Sequence, residues 1–289
     1  MYAITGITGH VGGAAGSALI KQNLPVKAVV RNPAKGVEWQ EKGAVVALAE
    51  LHDALALEKA FSGADGVFIM TPPLFDSENP LKDHDLMLQA LCAALIKAQP
   101  KKIVYLSSIG AQHSNGTGAI KKLYNMEKVF NKLSIPTVSI RAAWFMENFF
   151  GFIAGAKESG KLQSFLNPTD MVIPMIASCD IGRLVADLLI QEWGGHRIIE
   201  LEGPCRYSVD DVALIMTYQL QRNVYASAIA ENEFANTYQS FGFTKSASLL
   251  MAAMNVGFNS KHIVFEAAGT EHMFGNTLLE DAFRSELMT

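Results

Sequence analysis

Short runs of apolar residues alternate with longer amphipathic stretches along the first half of the chain. The runs occupy residues 2–5, 26–30, 44–49, 66–70, 102–106 and 137–140. The stretches between them, at 11–22, 35–42, 53–61, 79–97 and 120–133, are typical of helices. Continuous apolar strands separated by helices indicate a parallel sheet covered on both faces. The pattern therefore predicts an α/β fold of the Rossmann type, with a doubly wound parallel sheet.

This rhythm weakens after residue 150. Residues 181–190 are predicted to form a helix and 197–201 a short strand, and both could return to the main sheet. Residues 207–219 are predicted to be helical, whereas 220–289 show helical patches without clear alternation. We therefore expect a Rossmann domain at 1–150, joined by 176–203. A smaller, mostly helical domain on the substrate side would comprise 151–175 and 204–289.

Polar residues and glycines follow the predicted strands. Ligands of doubly wound sheets bind at the carboxyl ends of the strands. The residues at those positions are Gly6, Arg31, Glu50, Thr71 and Ser107. We expect these five residues to border one crevice.

The turn after the first strand has the sequence TGITGHVG, in which Gly6, Gly9 and Gly12 are three residues apart. A strand that turns sharply into a helix needs a glycine that accepts positive φ. The absent side chain at Gly9 lets a pyrophosphate approach the backbone, and Gly12 lets the helix lie close to the sheet. Free N–H groups at the helix N-terminus favour phosphate. The turn predicts a dinucleotide site, although a tight turn without a ligand would use the same glycines.

The residue after the second strand indicates which dinucleotide binds. In NAD-specific sites, an acidic residue ends this strand and binds the ribose 2′-hydroxyl. Here the strand ends in VVRNP, and Arg31 is a planar cation suited to a 2′-phosphate. We therefore expect NADP(H) in preference to NAD(H). Leu51 would lie against the adenine, and Glu50 would accept a hydrogen bond from its amino group.

Composition and charge argue against several other functions. The chain has 289 residues, 49% of them hydrophobic, and a net charge of -4, so no basic patch suggests a nucleic-acid partner. Neither an N-terminal targeting signal nor a membrane-length apolar run appears, and we expect a cytoplasmic protein. Cys92, Cys179 and Cys205 are far apart, which fits a reducing compartment. No cluster has metal-ligand spacing, so we expect no metal.

Several segments resemble one known family, the NmrA-like, atypical short-chain dehydrogenases/reductases. They are TGITGHVG, AVVRNP, SSIG at 107–110, IRAAWFMENF at 140–149 and CDIG at 179–182. The resemblance covers residues 1–205 well and the remainder loosely. It implies a Rossmann domain with a small C-terminal domain and a nicotinamide cofactor, usually NADPH. It also implies cofactor contacts at Gly6, Thr8, Gly9, His10, Val11, Arg31, Thr71 and Pro72.

Tyr124 and Lys128 have the Tyr-x-x-x-Lys spacing of short-chain reductases. Residues four apart share a helix face. The lysine could therefore hold the ribose and lower the pKa of the tyrosine, which would make the phenol a proton donor. Ser107 or Ser108 would then hold the same substrate oxygen.

A second alignment of this helix with the family, here called the second register, places the two catalytic positions at other residues. Many atypical members have Glu-Lys here, followed by a short loop and a proline before the next strand. The Glu-Lys at 127–128 and the Ile-Pro at 135–136 match that pattern. The two catalytic positions then fall at Ala119 and Leu123, which cannot transfer protons. The sequence leaves both registers open.

The first functional hypothesis is an NAD(P)H-dependent oxidoreductase that transfers hydride to a small quinone-like or carbonyl substrate. An alternative is an NAD(P)-sensing regulator of the NmrA type, with little turnover and a protein partner. A sugar-nucleotide epimerase-like enzyme is a third. The Phe and Met content of 144–153 and 238–256 would suit either an apolar cleft or ordinary core. A homodimer is also compatible with the sequence.

Overall fold

A parallel sheet of eight strands forms the centre of the computed structural model, which describes residues 1–266 and 268–287. The strand order is β13-β10-β6-β5-β4-β1-β2-β3, and all neighbours run parallel. The predicted doubly wound fold is thereby confirmed. The strands are β1 (Tyr2–Thr5), β2 (Val26–Val30), β3 (Val45–Leu48), β4 (Gly66–Ile69), β5 (Ile103–Ser108), β6 (Thr137–Ala142), β10 (His196–Glu202) and β13 (Glu271–Phe274).

Helices cover both faces of this sheet because successive strand residues point to opposite sides. Ile4 contacts a core shared with α1, α2 and α7, whereas Ala3 contacts a core shared with α3, α4 and α5. Both residues are fully buried. The helices are α1 (His10–Lys21), α2 (Pro33–Glu41), α3 (Ala54–Phe61), α4 (Pro80–Ala98), α5 (Lys121–Phe130) and α7 (Ser178–Ile190).

Local sequence signals fix where these helices begin. The Asn32 side chain accepts a hydrogen bond from the Ala34 N–H, and Pro33 occupies the first helical position of α2. The Asp53 side chain caps α3 by accepting hydrogen bonds from the Leu55 and Ala56 N–H groups. In the CDIG segment, a Cβ at Gly182 would lie 2.4 Å from the Ala14 Cβ, so the glycine allows α7 to approach α1 closely.

The other elements surround a second hydrophobic core beside the carboxyl ends of the main strands. Two small sheets lie around this core, a three-stranded sheet in the order β11-β9-β7 and a two-stranded sheet of β12 and β8. These elements are β7 (Trp144–Phe145), α6 (Ile153–Ser159), β8 (Lys161–Ser164), β9 (Ile173–Ile176), β11 (Arg206–Tyr207), α8 (Val209–Leu220), β12 (Tyr225–Ala228), α9 (Phe234–Ser240), α10 (Lys245–Asn259) and α11 (Leu279–Leu287).

The C-terminal region contains three short strands, β11, β12 and β13, among its helices, and β13 joins the main sheet. Residues 271–274 form β13, which pairs with β10 at the edge of the main sheet. The sequence pattern does not reveal this strand because all four residues, EHMF, are exposed and form no apolar run. The division of the chain into two domains stays a prediction.

Candidate functional site

The glycine turn between β1 and α1 is compact, and two of its glycines have a structural role. Gly6 has a φ of +64°, where a side chain would be strained. A Cβ at Gly12 would lie 2.4 Å from the Gly6 carbonyl oxygen. Gly12 therefore allows α1 to lie directly against the turn, as the sequence predicts.

Gly9 is different because the protein itself does not require a glycine there. It has a φ of -102°, and a Cβ at this position would approach the Gly6 oxygen no closer than 3.4 Å. Gly9 is also the N-cap of α1 and provides no side chain to bind the first N–H groups. Those N–H groups remain free for an anion. The space at Gly9 thus suits a phosphate that contacts the backbone.

A pocket of about 290 Å³, here called the outer pocket, opens on one side of this turn. Arg31 lies on its wall, is exposed, and has no hydrogen-bond partner within residues 1–266 and 268–287. The guanidinium is therefore available to a ligand. The other predicted contacts on this wall are Gly6, Thr8, Gly9, Glu50, Leu51 and Pro72.

A larger cavity of about 530 Å³, here called the inner cleft, lies on the other side of the turn. Its wall contains His10, Val11, Thr71 and Ser107, four further residues that the sequence predicts at the site. Gly9, Met70 and Pro73 border both the outer pocket and the inner cleft. The two spaces therefore adjoin across the N-terminus of α1, and together they are called the groove. Its remaining wall is mainly apolar, with Leu106, Trp144, Phe145, Met251, Met254 and Phe258.

Thr71 is positioned by a buried histidine. His84 Nε2 lies 3.1 Å from Thr71 Oγ1, and the His84 side chain is fully buried within α4. Burial, assisted by the nearby charge of Lys122, lowers the pKa of His84 to about 3. His84 is therefore neutral at physiological pH and orients the threonine without adding charge to the groove.

Ser107 belongs to a buried polar network. Its hydroxyl donates to Glu127 Oε1 at 2.6 Å, and Ser139 Oγ donates to the same oxygen at 2.8 Å. Arg141 donates to both oxygens of Glu127 and also pairs with Glu266. This network joins β5, α5 and β6, and Ser107 is its member on the wall of the inner cleft. Because its hydrogen is donated to Glu127, the Ser107 hydroxyl can only accept a hydrogen bond from a ligand.

The candidate acid–base pair lies apart from the cleft. Neither Tyr124 nor Lys128 belongs to the wall of the inner cleft, whereas Ala119 and Leu123 do. The Lys128 ammonium lies 5.6 Å from the centre of the Tyr124 ring, over its face. The residues that face the groove are therefore those of the second register. The acid–base role of Tyr124 and Lys128 stays a prediction.

Two charged residues on the cleft wall were not among the predicted site residues. Lys122 lies one residue from Leu123 and four from the buried Met126, so its position on the buried face of α5 could have been read from the helical spacing. Glu147 belongs to the MENF segment, and its Oε1 accepts hydrogen bonds from the N–H and Oγ of Ser178. Its other oxygen is buried without a hydrogen-bond partner in the part of the chain that the structure describes.

The described residues contain no group of three or more His, Cys, Asp or Glu side chains arranged to hold a metal ion. None of their helices combines the length and the hydrophobicity needed to cross a bilayer.

The fold and the groove together define a Rossmann-type protein with a cleft at the carboxyl ends of its parallel strands. The chain belongs to the NmrA-like family, whose model matches residues 2–281. It is 26% identical over 260 residues to quinone oxidoreductase 2 of Escherichia coli, covering 89% of this chain and 87% of that protein. It is 25% identical over 255 residues to an NAD(P)H azoreductase of Xenophilus azovorans, covering 88% and 85%.

Solved structures show the same fold. The NADPH-dependent quinone oxidoreductase from Escherichia coli, solved in complex with NADPH, superposes with a TM-score of 0.82. That comparison covers 100% of both chains at 24% sequence identity. The whole chain, including its C-terminal region, therefore has the architecture of that structure.

Proposed function

We propose that this protein is an NADPH-dependent oxidoreductase that reduces a small quinone-like or carbonyl substrate in the inner cleft. The observation that carries the proposal is the groove, in which the outer pocket with Arg31 and the inner cleft adjoin at the N-terminus of α1. The names of the two curated relatives, a quinone oxidoreductase and an NAD(P)H azoreductase, support the same class of reaction.

The residues of the outer pocket fit the adenosine half of NADPH. The unpartnered Arg31 guanidinium suits the 2′-phosphate, because planar guanidinium groups bind phosphate with paired hydrogen bonds. Leu51 provides an apolar surface for the adenine. The absent side chain of Gly9 leaves room for the pyrophosphate at the N-terminus of α1.

The residues of the inner cleft bind and orient the acceptor. When bound, NADPH supplies the hydride, and one proton completes the two-electron reduction of a quinone to a hydroquinone. The apolar side chains of Trp144, Met251 and Met254 suit a flat ring and exclude water from one side of it. His10 borders the cleft and is exposed, so either this histidine or solvent can provide the proton.

A direct assay tests this function. Purified protein is mixed with NADPH and a panel of small quinones and carbonyl compounds, and the loss of NADPH absorbance is followed. We expect turnover with at least one quinone, at a rate well above the rate without protein. Tight NADPH binding without turnover on any acceptor would instead support a cofactor-sensing protein.

A further inference from the structure

Lys122 places an ammonium group on an otherwise mainly apolar part of the inner cleft. It lies in the first turn of α5, and its Nζ donates to the carbonyl oxygens of Pro72 and Pro73 at 3.1 and 3.2 Å. An ammonium group has three N–H donors, so one remains for a further partner. The neighbouring cleft residues Phe75, Leu123 and Met251 offer only carbon and sulfur atoms in their side chains.

This ammonium group has no counter-ion within the described part of the chain. No carboxylate lies within ion-pairing distance of Lys122, and burial lowers its pKa to about 8. At neutral pH the side chain therefore remains mostly charged. Removing a charge from water without a partner is unfavourable, and such groups in clefts are candidates for ligand recognition. An anionic ligand would supply the missing charge.

The other titratable groups around the cleft do not satisfy this lysine. His84 on α4 is held neutral, since its pKa is lowered to about 3. Glu147 accepts hydrogen bonds from Ser178, and His10 lies at the glycine turn, where α1 begins. Lys122 therefore remains the group on the α5 wall that can recognise an anion.

We propose that Lys122 is a specificity-determining residue and that the preferred substrates are flat aromatic acceptors bearing an anionic oxygen group, such as a carboxylate. The apolar side chains of the inner cleft would contact the ring, and the free N–H of Lys122 would bind the anionic oxygen. This inference rests on the proposed function only in assuming that the substrate occupies the inner cleft.

Equilibrium binding tests the inference without turnover. The probes are 2-naphthoate and its neutral isostere 2-naphthamide, titrated calorimetrically at pH 7 with saturating NADP⁺. The wild-type protein should bind naphthoate about tenfold more tightly than naphthamide, as a charge-assisted hydrogen bond predicts. Lys122→Met should remove this preference, whereas Lys122→Arg should retain part of it.

Lys121→Met is the matched control, because Lys121 lies on the same helix but binds the Ser114 carbonyl oxygen outside the cleft. It should keep the wild-type preference. The preference should also decline as the pH rises through about 8, because Lys122 loses its proton while naphthoate remains ionised.

Two results would overturn the inference. The first is equal affinity of the wild-type protein for naphthoate and naphthamide. The second is an unchanged preference in Lys122→Met, and a loss of NADP⁺ affinity in that variant would then assign the lysine to a cofactor phosphate. Because both are binding measurements, they stay interpretable even if no quinone is reduced.

Discussion

The outer pocket and the inner cleft share one groove but differ in how they are built. The outer pocket is formed by residues that directly follow β1, β2, β3 and β4. The inner cleft combines the turn after β1 with α5, the segment after β6 and the C-terminal helix α10. The outer pocket depends on local sequence at strand ends, whereas the inner cleft depends on how segments distant in the chain pack together.

This difference in construction affects which ligand the outer pocket and the inner cleft can each recognise. The strand-end positions are defined by the doubly wound sheet, so under the proposed function a single side chain, Arg31, would select the cofactor. The wall of the inner cleft depends on α5 and α10, which lie far from these strand ends in the chain. We therefore expect mutations at the two ends to change different properties of the protein.

The largest expected effect lies at the junction of the two spaces, where Gly9 and Gly12 can be separated. Gly12→Ala places a Cβ against the backbone of Gly6 and should destabilise the fold by about 3 kcal/mol. Gly9→Ala meets no such obstacle, and it should leave the melting temperature nearly unchanged while weakening NADPH binding about tenfold. Thermal unfolding and NADPH titration of both variants measure the contrast.

The opposite pattern would contradict the assignment of these two glycines. If Gly9→Ala unfolded at a much lower temperature and kept its NADPH affinity, the space at Gly9 would serve folding and not a phosphate. The wild-type protein and Gly13→Ala, which lies on the same helix one residue after Gly12, provide the references.

The second-largest effect is expected from a change of Arg31, and it concerns the outer pocket alone. Arg31→Ala should weaken NADPH binding by about 10- to 100-fold, the loss of a paired charge-assisted contact, while NADH affinity changes less than about twofold. Titrations with both dinucleotides measure the two constants. Lys21→Ala removes a positive charge from the far end of α1 and is the control for net charge. Equal losses for NADPH and NADH would show that Arg31 does not bind the 2′-phosphate.

The smallest effect is expected at Tyr124, beside the inner cleft. Because its side chain is not part of the cleft wall, Tyr124→Phe should keep the turnover number within about twofold of the wild-type value. Lys128→Met should behave in the same way. A loss of a hundredfold or more in Tyr124→Phe would restore the tyrosine as the proton donor and would contradict the second register of α5.

Several residues that the sequence predicts at the cofactor site lie together on the outer pocket, because their signals are contiguous, and their cofactor contacts stay a prediction. The strand, the glycine turn and the helix at residues 2–21 form one local unit, and Arg31 follows its strand by a single residue. The strand β13 was not predicted, since its four exposed residues lack the apolar run that marks a buried strand. Its place in the sheet depends on pairing with β10, about 70 residues earlier in the chain.

The inner cleft could be predicted only in part, because its wall is assembled from segments that are far apart in the chain. Trp144 and Met251 meet at one cleft although more than 100 residues separate them, and no local pattern indicates this contact. The spacing of Tyr124 and Lys128 matched a known motif, but Lys122 and Leu123 of α5, together with Ala119 just before it, line the cleft instead. The packing of α5 decides which of its residues face the groove. The spacing motif alone therefore could not identify them.

The most direct test of the proposed cofactor site is a crystal structure of the protein with NADP⁺. We predict the 2′-phosphate at the Arg31 guanidinium, the pyrophosphate at the N-terminus of α1 beside Gly9, and the nicotinamide inside the inner cleft. A 2′-phosphate away from Arg31, or a nicotinamide ring outside the cleft, would contradict the proposal that the groove binds the cofactor and positions it for the substrate.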